Sequence, residues 1–175
     1  MDDSTGKLTE EMSMEGVKIA LKFNKLDLLT RWIAQRKLSF SYSSGKFIEE
    51  YARLKPKNHK NAYELALFIY QDIKSFIEAA ICMAKLGRFS AMIDYIAQNS
   101  KIMESSNNEI FSKILVEFPS LELANLIMEI VNKEEIVMPV DKIVSVLLDS
   151  DQPENGLIFL KTQIDNYSKS KINEQ

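Results

Sequence analysis

Only one histidine and one cysteine stand in this chain of 175 residues, and they bound the chemistry it can carry. A Ser/His/Asp or Cys/His nucleophile would need His59, which lies among Lys55, Lys57 and Lys60 in a polar stretch broken by Pro56. Cys82 lies within Ala-Ala-Ile-Cys-Met-Ala, a setting that suits an inert packed thiol rather than a reactive thiolate. One His and one Cys do not make the usual zinc sets, and no Asp/Asn-rich calcium loop is written. Glu134-Glu135 is the best paired acid for general acid–base work, but at a helix end such a pair reads as solvated surface. Ser43-Ser44-Gly45-Lys46 invites comparison with a nucleotide loop. That loop needs a second upstream Gly, a Ser or Thr after the Lys and a preceding strand. Phe47 follows here, so Gly45 reads as a joint between a loop and a helix. The expectation is a chain with no catalytic residue, cofactor site or metal site, and no small-molecule substrate.

The charges point elsewhere. Arg53, Lys55, Lys57, His59 and Lys60 crowd one loop, and Arg31, Arg36 and Lys37 are candidates for the same side. A solvated face explains such a run; the functional alternative is an electrostatic docking surface for an acidic protein, RNA or an anionic membrane. Carboxylates dominate later, from Glu104 and Glu109 through Glu134, Glu135, Asp149 and Asp151, an asymmetry that would orient a partner. Trp32 beside arginines has the composition of an interface hot spot, although packing between repeats explains it too. The candidate partner-binding set is Arg31, Trp32, Arg36, Arg53, Lys55, Lys57 and Lys60.

A net charge of −3 argues against a dedicated nucleic-acid binder. Apolar content of 46% with 27% charged residues is ordinary for a globular domain. The lone cysteine suits a reducing compartment. The acidic start Met1-Asp2-Asp3-Ser4 shows no signal peptide, and apolar runs such as Ala79–Ala84 are too short to span a bilayer. A cytoplasmic protein is expected.

The elements that must carry these residues follow from an internal repeat. Met14–Gln35 set above Ile77–Gln98 without a gap agrees position by position: Glu15 on Glu78, Lys22 on Lys85, Leu26 on Phe89, Trp32 on Tyr95. Each copy breaks at a residue tolerant of left-handed geometry, Asn24 or Gly87, followed by a base. That predicts helix, αL cap, helix, written twice, the signature of stacked helical repeats. Along the chain, Ser13 is the expected N-cap of the first helix, and Leu38–Gly45 a packed loop before a helix Lys46–Leu54. Asn61–Tyr70 and Ile73–Leu86 are apolar on nearly every side, so both belong in the interior. Ser106 with Glu109 makes a capping box, Ile136–Val140 an extended connector, Asp141 a cap for Lys142–Leu148, and Gly156–Tyr167 the last helix. The fold class predicted is all-α: antiparallel helical hairpins stacked as an α-solenoid of about ten helices. A single domain 8–167 is expected between a frayed tail 1–7 and a polar tail 168–175.

The stretches Leu26-Asp27-Leu28-Leu29-Thr30-Arg31-Trp32-Ile33, Phe47-Ile48-Glu49-Glu50-Tyr51-Ala52 and Asn61–Gln98 resemble clathrin-heavy-chain repeats. Within these they are similar to the carboxy-terminal solenoids of class C vacuolar protein sorting and VIPAR-type tethering subunits. The resemblance covers roughly half the chain, with no diagnostic motif. It implies a non-enzymatic scaffold in endosomal and lysosomal vesicle trafficking that sits peripherally on those membranes. Another protein subunit, of Sec1/Munc18 type, would be its partner, and membrane contact would be indirect. The repeat generates one prediction: Ala80→Leu overpacks the hairpin and costs about 1–3 kcal/mol. An unchanged thermal melt would show that the helix carrying Ala80 keeps its distance from its neighbours.

Overall fold

The first helix shows how side chains set the ends of these elements. In the computed structural model, which describes residues 7–99, 107–134 and 138–173, α1 spans Glu10–Lys22. Thr9 is its N-cap and accepts a hydrogen bond from the Met12 amide, with Glu10 and Glu11 in the first turn favouring the helix dipole. Ser13, the expected cap, lies inside the helix instead. Its buried hydroxyl accepts from the Ser39 amide at 2.9 Å, so it ties the start of α1 to the segment beyond the second helix.

That second helix, α2 (Leu26–Ala34), is followed by α3 (Tyr42–Leu54), a short 3₁₀ turn at Pro56–Asn58, α4 (His59–Asp72), α5 (Phe76–Lys85) and α6 (Phe89–Asn99). Next come α7 (Asn107–Glu117), α8 (Leu121–Glu134), α9 (Val140–Leu148) and α10 (Glu154–Asn173). The chain is all-α, with no strand among the described residues, as its periodicity predicts.

Four helix ends share one device. Asn24, Arg36, Lys74 and Gly87 have φ of 55°, 52°, 59° and 70°. After each, the next amide donates to the carbonyl five residues back: Lys25 to Ala20, Lys37 to Trp32, Ser75 to Tyr70, Arg88 to Met83. These are Schellman closures, which satisfy carbonyls that a helix end leaves open. Asn24 and Gly87 stand where the repeat predicts them. Arg36 and Lys74 carry no sequence signal, and Lys74 separates Ile73 from α5, so the expected helix from residue 73 begins three residues later.

Residues 42–45 also differ from expectation. Ser41 and Ser44 form a reciprocal capping box, which starts α3 at Tyr42 and leaves only 38–41 as loop. Gly45 therefore sits inside a helix. Asp141 lies in the first turn of α9 rather than at its cap, which is Pro139. The proposed box at Ser106 and the first two residues of the connector, 136 and 137, lie outside the described residues, and Val140, expected in the connector, opens α9.

By contact the chain divides into two units, Met1–Met92 and Ile93–Gln175. In the first, α3 packs along α4, α4 along α5, and α1 against α2 and α3. Leu29, Ile48, Ile69 and Tyr70 are fully buried there. α4 and α5 are covered on several sides, α5 along the whole run from Ala79 to Ala84, as their all-round apolarity predicts. In the second unit α9 packs on α10 and α7, and α8 on α10, around Ile110, Ile114, Leu123 and Phe159.

The repeat extends past the aligned hairpins. α1, α5 and α9 end at Lys22, Lys85 and Leu148, each 63 residues after the one before. α2 and α6 begin at Leu26 and Phe89, and α3 and α7 end at Leu54 and Glu117, at the same spacing. The repeating unit is thus four helices rather than two. Burial follows: Val17, Ala80 and Ile143 are all core residues, as are Leu21, Ala84 and Leu147.

Gly45 gives a test in which two effects oppose. Helix propensity alone makes alanine better there by about 1 kcal/mol. A Cβ at Gly45, however, would lie 2.6 Å from the Tyr70 ring, which is fully buried. Gly45→Ala is therefore predicted to destabilise by about 1–3 kcal/mol in a denaturant titration. A gain in stability would show that Tyr70 has room to shift.

Candidate interaction surface

The turn between α1 and α2 is tied to the turn between α3 and α4. Asn24 Oδ1 accepts from the Tyr51 hydroxyl and, at 2.6 Å, from Asn58 Nδ2. Asn58 Nδ2 also reaches the Tyr51 oxygen at 3.3 Å. A left-handed turn residue thus anchors a second turn through its side chain. The same end of the unit gathers Lys25, Arg53, Lys55, Lys57, His59 and Lys60, all exposed. Arg53 has Glu50 at 3.7 Å, a weak exposed pair. Among the described residues no carboxylate pairs with Lys25, Lys55, Lys57 or Lys60. α4 opens here with His59 and Lys60, without an acidic first-turn residue or a side-chain cap. Cations at a helix start oppose its dipole, so these bases do not serve the stability of α4. Exposed and close together, they make this end favourable to anionic groups.

The rest of the candidate set is placed differently. The Leu8 amide donates to the Lys37 carbonyl and the Ser39 amide to Ser13, so Arg36 and Lys37 lie beside the start of α1, at the opposite end from Asn24. Arg36 is exposed and holds the left-handed position of its turn. Arg31 is exposed too, but its guanidinium turns back to Asp27 at 3.3 Å. Trp32 is half-buried, its ring 3.5 Å from where a Cβ on Gly16 would stand. A Cβ there would make ordinary van der Waals contact with the ring. In the second copy Ala79 and Tyr95 hold the two positions, a larger helix residue with a smaller ring.

A polar cluster that sequence reasoning missed lies between α3, α4 and α5. Glu49 is buried and accepts from Lys85 at 2.9 Å, Tyr70 at 3.1 Å and Lys46 at 3.3 Å. The Lys85 ammonium also lies 5.5 Å from the Tyr63 ring centre. The Tyr42 hydroxyl donates to Glu78 at 3.2 Å, and the Ser75 hydroxyl to the other Glu78 oxygen. Burial acts to raise the Glu49 pKa, but the hydrogen bond and charge of Lys85, with Lys46 and Tyr70, outweigh it. The carboxyl is held below its ordinary range. Burial and then Glu49 push the Tyr70 phenol up. The repeat flagged Glu78 and Lys85 as equivalents of Glu15 and Lys22, but no signal pointed to Glu49, which looks like one more acid on a charged helix.

Burial first, and Glu49 second, push the Cys82 thiol up to about 12, so it is not a nucleophile near neutral pH. His59 Nδ1 bonds the Pro56 carbonyl. Ser43-Ser44-Gly45-Lys46 forms the first turn of α3 rather than a phosphate loop. Among the described residues no group of three His, Cys, Asp or Glu could hold a metal ion; the Glu134 side chain and Glu135 lie outside them. A groove of about 450 Å³ between α2 and α4 has an apolar floor of Leu26, Ile33, Leu65 and Phe68. No helix among the described residues is long and apolar enough to cross a membrane. No protein-family model and no solved structure matches this chain.

Glu49 yields a prediction with a defined sign. Glu49→Ala removes one partner of a buried ion pair and is predicted to cost about 3–5 kcal/mol. A carboxyl whose folded pKa is depressed contributes fully above its unfolded value of about 4.3. That contribution is lost as pH falls through the lower folded value. Denaturant titrations from neutral pH into this acid window should show stability falling in the parent and falling less in Glu49→Gln. Parallel acid limbs in both would remove Glu49 from the account.

Proposed function

We propose that this chain is a non-enzymatic helical-repeat scaffold that binds an acidic surface of another protein subunit through the basic end of its first unit. The observation that carries the reading is the Asn24–Tyr51–Asn58 tie. It anchors the α3–α4 turn, so that four lysines without carboxylate partners share one end of a packed unit. Preorganised charge of this kind raises association rate and selects partners more than it tightens binding. Arg53 extends the patch. Trp32 and Arg36 belong to the other end and are not part of this surface. On the resemblance to clathrin-type repeats, the scaffold serves endosomal or lysosomal vesicle tethering and meets a Sec1/Munc18-type or similar subunit. It works in the cytoplasm, and the partner carries any membrane contact.

The test compares three probes by fluorescence anisotropy: an Asp/Glu-rich peptide, single-stranded RNA, and phosphatidylserine vesicles. The peptide is expected to bind in a salt-dependent manner. The Lys55→Glu/Lys57→Glu/Lys60→Glu variant should lose about tenfold or more in affinity with little change in melting temperature. Binding of RNA or vesicles in preference to peptide, abolished by the same variant, would replace the protein-docking reading with the electrostatic alternative.

A further inference from the structure

α5 has two buried faces and α1 has one. On α5, which packs on α4, residues Glu78, Cys82 and Lys85 form a stripe at i, i+4 and i+7 whose ends reach α3 through hydrogen bonds. Glu78 takes the Tyr42 hydroxyl, Lys85 takes the Glu49 carboxylate and faces the Tyr63 ring, and Cys82 between them is fully buried. The partner side is equally regular: Tyr42 and Glu49 are seven apart on α3, Tyr63 and Tyr70 seven apart on α4. Sixty-three residues earlier, α1 carries Glu15, Ile19 and Lys22 at the same three places. This stripe lies opposite the core face of Ser13, Val17, Ala20 and Leu21.

Here the stripe is open. Ile19 is 55% exposed, and the apolar residues that flank it, Met12 and Phe23, are 51% and 65% exposed. Among the described residues Glu15 pairs with Lys18 on its own helix, in an exposed pair that contributes little. Three large apolar side chains on one helix face, framed by an acid and a base, are the composition of an interface rather than of a solvated surface. α9 does not repeat it, since Asp141, Ser145 and Leu148 hold the equivalent positions without a base.

We infer that α1 duplicates the docking face of α5, and that Met12, Glu15, Ile19, Lys22 and Phe23 seat a helical hairpin of a partner protein. The hairpin offers a carboxylate to Lys22 and, one helical heptad away, a tyrosine hydroxyl to Glu15. The α3–α4 pair defines this chemistry because it already satisfies the same stripe on α5. A second copy of the chain does not supply it, since its own α3–α4 surface is covered by its own α5. The inference rests on the protein-binding reading but uses a different surface from the basic end.

The test places a benzophenone amino acid at position 19 of the full chain in its own cells and sequences the photo-cross-linked segment by mass spectrometry. The expected product joins α1 to a helical segment of a different protein that bears Tyr and Glu or Asp seven residues apart. Its yield should fall about tenfold in Lys22→Glu, fall less in the milder Lys22→Gln, and recover when the partner's carboxylate is changed to lysine. Circular dichroism melts matching the parent show that these exposed changes leave the fold intact. Cross-links to a second copy, no cross-link, or a yield indifferent to Lys22→Glu would overturn the inference. A cross-link lost only when Lys55, Lys57 and Lys60 are reversed would overturn it too and leave the basic-end reading standing.

Discussion

Three helices of the first unit converge on the carboxylate of Glu49, which is out of water and shared by Lys85 from α5, Tyr70 from α4 and Lys46 from its own helix. A buried charge is tolerable only when such partners are in place. The cluster therefore penalises every helix register except the one that delivers both Tyr70 and Lys85 to the same point. Apolar packing between the same helices would tolerate sliding by a turn far better. Tyr70 serves both kinds of constraint, since its ring fills the space over Gly45 while its hydroxyl meets the acid.

The unit that this cluster locks is assembled from one connecting device used repeatedly. Three of the four Schellman closures join helices through about three residues, that at Arg36 opens a longer segment, and the device does not require glycine: one site has Gly87, one Asn24, and two have long basic side chains. A left-handed L-residue costs about 1–2 kcal/mol, so Arg36 and Lys74 hold their geometry because the packing on either side leaves no alternative. At Asn24 the side chain turns this need into a further contact, reaching Tyr51 and Asn58 and fixing where the basic turn sits. The surface proposed for docking thus depends on a backbone requirement two helices away.

Charge and apolarity divide the first unit into surfaces of different character. The Lys55–Lys60 end has bases at a helix start that gains nothing from them. The outer face of α1 has apolar side chains bracketed by Glu15 and Lys22. Both are arrangements that the stability of the unit does not explain. Interaction energy concentrates in buried apolar centres, while charge governs approach and choice of partner.

Periodicity and the repeat were enough to determine the helices themselves, the interior places of α4 and α5, and the turns at Asn24 and Gly87, because these depend on local geometry and on which side chains avoid water. The basic loop was legible for the same reason, as a run of charges adjacent in sequence. Three things only the tertiary structure decided. Residues 42–45 became helical through a Ser41–Ser44 box that looks like any serine-rich loop. Arg36 and Lys74 took left-handed turns that their residue types disfavour. Glu49, one acid among many on charged helices, became the centre of the unit. Each depends on which groups from distant parts of the chain arrive together, and the free energy of a buried charge or a strained turn comes from that convergence rather than from neighbours in sequence.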